Sequence, residues 1–168
     1  MNKQEARKYA LNLRLSFDSQ IKSKDVIEQI KNSNILDKYN NIGIYFPIGK
    51  ELNIMDLLKI YPNKKFYLPI TKEEISFVEY KIEDKLIDGP FHTKEPIGKI
   101  IERDTIDCFL IPCVAVNNND YRLGYGKGYY DRYLNDYKGF KIGICYKKLR
   151  IDFKEDSFDL KLDKVIEI

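Results

Sequence analysis

The sequence predicts a single α/β domain over residues 1–168, with a mostly parallel central sheet flanked by helices on both faces. Three observations point there. Short apolar runs rich in β-branched and aromatic residues alternate with stretches of helical spacing, the order expected of βαβ units. The most apolar run, IDCFLIPCVAV at 106–116, is continuous and not alternating, as suits a central strand covered on both faces. A chain of 168 residues with 43% hydrophobic content can bury one core and is short for two.

The elements follow in order. Asn2 and Glu5 have the spacing of a capping box, and Ala6, Tyr9, Ala10, Leu13 and Phe17 recur at helical intervals behind them. A second amphipathic helix is expected from Ser23 onward, with Val26, Ile27 and Ile30 facing inward. IGIYFPI at 42–48 reads as a buried strand between Asn41 and Gly49. Ile54, Leu57 and Leu58 return to helical spacing, and KKFYLPI (64–70) and ISFVEYK (75–81) read as strands. Residues 82–103 read as loop, because GPFHTKEPIG alone holds two glycines and two prolines. After the 106–116 strand, NNND and RLGYGKG break the pattern. YYDRYLNDY (129–137) is helical, and FKIGICY (140–146) and KVIEI (164–168) close the chain as strands.

Composition narrows the function. With 29 basic and 26 acidic residues the net charge is +3, too mild for a dedicated nucleic-acid binder but suited to a small anion such as a nucleotide. No apolar run approaches the roughly eighteen residues of a membrane span. MNKQEARKYALNLR lacks the apolar stretch of a secretion signal, so a cytoplasmic protein is expected. Cys108, Cys113 and Cys145 lack CxxC spacing and lie in apolar runs, as buried small hydrophobes do. A single histidine, His92, excludes a multi-histidine metal centre.

Chemistry concentrates in PCVAVNNNDYRLGYGKGYYDR, 112–132. Three of nine glycines, Gly124, Gly126 and Gly128, fall within five residues there, with Arg122 and Arg132 at the flanks. Alternating glycines permit left-handed backbone and close approach, so successive N–H groups can form a nest for phosphate oxygens. Arg122 offers a bidentate fork, Lys127 a mobile ammonium, and Asp131 a carboxylate for the magnesium that accompanies nucleotide phosphates. The strand before the loop and the helix after it place the loop at the carboxyl edge of the sheet, where ligands bind in open α/β folds. The spacing is neither the dinucleotide GxGxxG, since Tyr129 occupies the third glycine's place, nor a Walker A loop. On pattern alone, a simple sharp turn accounts for the glycines equally well.

RLGYGKGYYDR behind a strand ending PCVAV closely resembles the signature of the 5-formyltetrahydrofolate cyclo-ligases. The likeness covers nearly the whole chain, through Lys3 to Arg7, FPIGKELN with Glu51, Glu95-Pro96, the glycine loop and FDLKLDKVI, in family order. The resemblance implies an α/β enzyme that uses ATP and Mg²⁺ to cyclise 5-formyltetrahydrofolate to 5,10-methenyltetrahydrofolate, releasing ADP and phosphate. It implies ATP contacts at Lys3, Arg7, Arg122, Leu123, Gly124, Tyr125, Gly126, Lys127, Gly128, Tyr129 and Tyr130. Arg122 and Lys127 are the implied catalytic residues. Folate contacts are implied at Phe46 and Glu51, and at Tyr125, Gly126, Lys127, Gly128 and Tyr129 of the same loop. Asp131 and Asp159 are the implied magnesium ligands.

Departures from the family pattern are Asn117 and Asp120 in the loop, Ile54 after Glu51, His92-Thr93, and Phe158 beside Asp159. The partners implied are ATP and 5-formyltetrahydrofolate, including polyglutamylated forms, with no nucleic acid, no membrane and a monomeric protein. Two other readings fit the residues: a sugar-phosphate isomerase or CoA-transferase relative, and a nucleotide-binding module without catalysis.

Overall fold

A computed structural model describes all residues from Met1 to Ile168. Eleven strands and four α-helices form: β1 (Asn41–Gly43), β2 (Lys65–Thr71), β3 (Ile75–Tyr80), β4 (Leu86–Asp88), β5 (Lys94–Pro96), β6 (Ile100–Ile101), β7 (Cys108–Pro112), β8 (Ala115–Val116), β9 (Arg122–Leu123), β10 (Phe140–Cys145) and β11 (Lys164–Glu167), with α1 (Lys3–Arg14), α2 (Ser19–Ser33), α3 (Leu57–Ile60) and α4 (Tyr129–Tyr133). Seven strands make one sheet in the order β11-β10-β7-β1-β2-β3-β6. The first five are mutually parallel, and β3 runs antiparallel to both its neighbours.

The chain begins the sheet in its middle. From β1 it builds outward through β2, β3 and β6, then crosses back to β7 on the other side of β1. The strand order therefore reverses between β1 and β7, the point at which open α/β sheets leave a crevice beyond their carboxyl ends.

One core of 41 buried residues runs through the molecule. Every residue of β7 is buried, which requires cover on both faces of the sheet. Phe109 of β7 packs edge-on against Phe77, Tyr133 and Tyr137, with ring centroids 5.0, 5.8 and 5.1 Å away. This brings α4 onto the sheet. The helix α1 has the expected capping box between Asn2 and Glu5, and buries Ala6, Ala10 and Arg14. Tyr9 is exposed, and Phe17 lies beyond the helix against Tyr146, so the inward stripe is narrower than periodicity suggests. Asp18 caps α2 through Ile21 N–H, which starts that helix at Ser19 and not at Ser23.

Other expectations also need correction. IGIYFPI is strand only as far as Gly43. The Ile44 N–H still reaches the Tyr67 carbonyl at 2.9 Å, but the chain then turns away and Pro47 has no N–H to continue a ladder. The 106–116 run is two strands: β7 ends at Pro112, and β8 pairs with β9 as a separate hairpin. The helices α3 and α4 are only four and five residues long. Within 82–103 the chain forms the small β4–β5 hairpin and the edge strand β6, stabilised by pairings that local composition does not show.

Gly43 sits where β1 passes Phe109, and a Cβ there would overlap the Phe109 ring. Gly43→Ala should therefore lower stability by about 1–3 kcal/mol through overpacking. Urea unfolding followed by circular dichroism measures this, and an unchanged midpoint would mean that the ring can move aside freely.

Candidate active site

At the β1/β7 reversal the carboxyl ends of the strands open into a cleft of about 350 Å³. Its walls come from the segment after β1, the end of β2, the β5 strand, the glycine loop and the first turns of α1. All of the candidate positions named from the sequence reach this one cleft, including Lys3, Arg7, Phe46, Glu51, Asp131 and Asp159, which the sequence scatters over 156 positions. His92 lies outside it, exposed.

The glycine loop owes its shape to its carbonyls. Arg7 of α1 donates from Nε to the Gly124 carbonyl at 2.8 Å, and Arg132 of α4 donates to the Lys127 carbonyl at 2.9 Å. Gly126 and Gly128 have φ of 104° and 70°, conformations that L-residues rarely hold. As a result the five successive N–H groups of residues 124–128 donate to no acceptor in the protein. Such a row is an anion nest. The α4 helix that follows has just five residues, so the loop's own amides, and not a helix dipole, supply the partial positive charge.

Arg122 is buried. Its Nε donates to the Pro112 carbonyl at 2.7 Å and its guanidinium lies 4.7 Å over the Tyr130 ring, which leaves the outer edge of the fork toward the cleft. Lys127 is exposed, with its ammonium 5.4 Å from the Phe91 ring centroid. Lys3 is paired with Asp159 at 2.9 Å and Asp156 at 2.7 Å; these bonds outweigh its partial burial and hold the ammonium above its ordinary pKa.

The carboxylates differ. Glu51 is 7% exposed; its Oε1 accepts from Ile48 N–H at 2.8 Å and its Oε2 faces the Tyr125 hydroxyl at 3.4 Å. Burial raises its pKa, opposed by the Ile48 N–H and by the charges of Arg14 and Arg122. Asp131 accepts from Leu160 N–H through Oδ1 at 3.1 Å, leaving Oδ2 without a protein partner. Asp159 receives both Lys3 on its two oxygens and Asp156 N–H at 2.7 Å. Asp131 thus keeps one carboxylate oxygen without a protein partner, the hard-oxygen type that suits magnesium, whereas both oxygens of Asp159 are taken by Lys3.

Asn117 explains one departure. Its Oδ1 accepts from Asn119 and Tyr121 N–H at 3.0 Å each, while its Nδ2 donates to the Phe153 carbonyl and to Glu155. An aspartate lacks that donor and would repel Glu155. Asp120 adopts φ of 63°, as a glycine would at this turn.

Two buried charges were given no role by the sequence reading, one lining the cleft and one behind it. Glu95 is buried, with Oε2 accepting from Thr71 N–H and hydroxyl at 2.7 and 2.9 Å and Oε1 unpaired. Arg14 is 5% exposed behind Tyr125. Its signal was there: a charged residue continues the Ala6, Ala10 stripe on the inward face of α1.

A mostly parallel α/β sheet with a row of free amides beside buried carboxylates at its strand-order reversal defines the class of protein, an α/β enzyme with an anion-binding cleft. The profile of the 5-formyltetrahydrofolate cyclo-ligase family matches residues 2–151, and the chain belongs to that family. It is 35% identical to the 5-formyltetrahydrofolate cyclo-ligase of Mycoplasma pneumoniae over 179 aligned positions, covering 99% of this chain and 98% of that one. The Mycoplasma genitalium enzyme of the same name is 38% identical over 75% of this chain and 71% of its own. Among solved structures, the NMR structure of Aquifex aeolicus 5,10-methenyltetrahydrofolate synthetase superposes with a TM-score of 0.86 at 30% identity, covering 99% of this chain and 90% of that one. The 5,10-methenyltetrahydrofolate synthetase structure from Mycoplasma pneumoniae gives 0.78 at 33% identity, covering 99% and 98%. This places the chain in the ligase family whose name refers to folate chemistry, and favours that reading over the isomerase and non-catalytic ones. No helix is long and apolar enough to cross a membrane.

Gly126 supports the nest through conformation and not through packing, since an added Cβ would lie 3.5 Å from the Arg7 guanidinium, in ordinary contact. Gly126→Ala should strain the loop by about 1–3 kcal/mol and weaken inorganic triphosphate binding about tenfold or more. Isothermal titration together with a melting curve tests this; unchanged affinity with a lower melting temperature would assign the glycine to folding alone.

Proposed function

We propose that this protein converts 5-formyltetrahydrofolate and ATP to 5,10-methenyltetrahydrofolate, ADP and phosphate. The observation that carries the reading is the row of free amides at 124–128, set between the Lys3–Arg7 face of α1 and the buried Glu51. Family membership supplies the substrate class, and the cleft supplies the groups that such a reaction needs.

The phosphates of ATP lie in the loop, against the N–H groups of residues 124–128 and the cations of Lys3, Arg7, Arg122 and Lys127. The folate lies toward Phe46 and Glu51, with Tyr125 to Tyr129 between the two ligands. The Glu51 carboxylate suits the donor-rich edge of the pterin. The N5-formyl oxygen attacks the γ-phosphorus, the bond to ADP breaks, and ADP leaves with the electron pair. The product is an N5-iminium phosphate. N10 then attacks the activated carbon, gives up its proton, and phosphate departs as the ring closes. No step requires a histidine, and His92, exposed between the cleft residues Phe91 and Thr93, takes no part.

Catalysis here is alignment plus charge stabilisation. Arg122 is held by Pro112 and Tyr130, so its fork is oriented before substrate arrives. Lys127 is exposed on a flexible four-carbon stem that can follow the transferring phosphoryl group. Asp131 Oδ2 would hold Mg²⁺, with Asp159 joining if Lys3 moves to the phosphates. When bound, the ion would neutralise charge on the phosphoryl oxygens. We also propose that the protein acts as a monomer in the cytoplasm and accepts polyglutamylated folate.

Methenyltetrahydrofolate absorbance and ADP should appear in equal amounts with ATP, Mg²⁺ and 5-formyltetrahydrofolate, and neither should appear when ATP is omitted. ADP released without folate would favour a plain nucleotide-binding or hydrolysing module. Asp131→Asn should raise the Mg²⁺ concentration needed for half-maximal turnover by about tenfold at saturating ATP. An unchanged Mg²⁺ dependence would return Asp131 to its bond with Leu160 alone.

A further inference from the structure

Arg14 is the one buried arginine of α1, and neither the sequence pattern nor the family resemblance gave it a task. It does not line the cleft. It lies behind the glycine loop, where its Nη2 donates to the Tyr125 hydroxyl at 2.6 Å and its guanidinium stands 5.7 Å from the Tyr125 ring centroid. The same hydroxyl lies 3.4 Å from Glu51 Oε2. Arg14, Tyr125 and Glu51 therefore form a chain from the first helix through the glycine loop to the carboxylate on the far wall. Although the Tyr125 residue is 42% exposed, its hydroxyl is enclosed between the two charged groups.

We propose that Arg14 is a positioning residue that fixes Tyr125 and, through its hydroxyl, the Glu51 carboxylate, so that the carboxylate that meets the folate is in place only when α1 and the glycine loop are docked. This rests on the reading of Glu51 as a folate ligand. The surroundings of Glu51 make the assignment specific. The tyrosines Tyr45, Tyr130 and Tyr146 and the thiol of Cys113 face it as neutral groups, all with pKa values raised chiefly by burial. The Ile48 N–H comes from its own loop. The cations that act on it most are Arg14 and Arg122, and Arg122 is already committed to the Pro112 carbonyl and the Tyr130 ring. Arg14 also reaches Glu51 through a polar bridge, which Arg122 lacks. Burial pushes the carboxyl toward its neutral form, and a neutral carboxyl would offer a proton where a pterin offers protons too.

The sign follows directly. Loss of the Arg14 charge raises the Glu51 pKa further, so the ionised fraction falls on the acid side and recovers as pH rises. In the ligand-free protein, carbon-13 resonances of labelled glutamate side chains, assigned with Glu51→Gln, report this midpoint without reference to any substrate. Arg14→Gln should move the Glu51 midpoint upward by at least about one pH unit. It should raise KM for 5-formyltetrahydrofolate about tenfold on the acid side of that midpoint and much less well above it, with KM for ATP within about twofold of the parent. Arg14→Lys, which keeps a cation, should return the midpoint most of the way. If Arg14→Gln does not fold, Tyr125→Phe carries the test, because cutting the bridge should also raise the midpoint. An unmoved midpoint in the folded neutral variant overturns the proposal. A midpoint that moves while KM for folate stays flat with pH supports the role of Arg14 and overturns Glu51 as the folate ligand.

Discussion

The cleft depends on which way a few peptide planes face. In the glycine loop the carbonyls of Gly124 and Lys127 are captured by Arg7 and Arg132. Arg132 is itself held by both oxygens of Glu74 at 3.0 Å, which ties α4 to the β2–β3 turn. Without those captures the carbonyls would be free to turn inward, and an acceptor facing a phosphate is repulsive. The left-handed backbone at Gly126 and Gly128 is the complementary requirement, since it lets the intervening amides turn the other way. The arginines beside this loop thus include two that shape it and need not touch the ligand with those atoms.

The sheet topology explains why both central strands leave the ladder early. The β1 strand stops after Gly43 so that Tyr45 and Phe46 can reach the cleft, and the Tyr45 hydroxyl then donates to the Leu52 carbonyl at 2.7 Å to steady the turn carrying Glu51. The β7 strand stops at Pro112, whose carbonyl becomes the acceptor for Arg122. Both interruptions occur at the reversal of strand order, where neighbouring connections diverge and leave space for a ligand. Ladder hydrogen bonds are given up there, and side chains of the cleft wall make up the loss.

Much of this was legible in the residues. The parallel core strands were visible because double-sided burial leaves continuous apolar runs, as in CFLIP and FKIGIC. The glycine loop was visible because left-handed backbone and close approach demand glycine at fixed positions. The early ends of β1 and β7 were not visible, because Ile44 to Phe46 and Cys113 to Val116 stay apolar for reasons of burial while their backbones leave the sheet. The roles of Arg14 and Glu95 were hidden for a different reason. Each gains its role from a partner more than twenty residues away, Tyr125 and Thr71, and no local pattern encodes such a pairing. The β4–β5 hairpin was likewise masked, since its prolines and glycines look like loop until Gly89 is seen packed against Glu95.

The contacts of α1 bear on how the chain assembles. Lys3 meets Asp159, Arg7 meets Gly124 and Arg14 meets Tyr125, separations of 156, 117 and 111 residues. During synthesis the first helix emerges long before any of these partners exist. It must wait with three cations and a small-residue stripe exposed while β1, β2 and β3 assemble. Closing such distant contacts is entropically slow, and α1 cannot dock through them before residues 124–159 have been made. A nascent chain that stops short of the glycine loop contains β1, β2, β3, β6 and β7 but lacks β10, β11 and the partners of α1. Sheet and ligand site are therefore completed together, and the chemistry is withheld until the chain is almost complete.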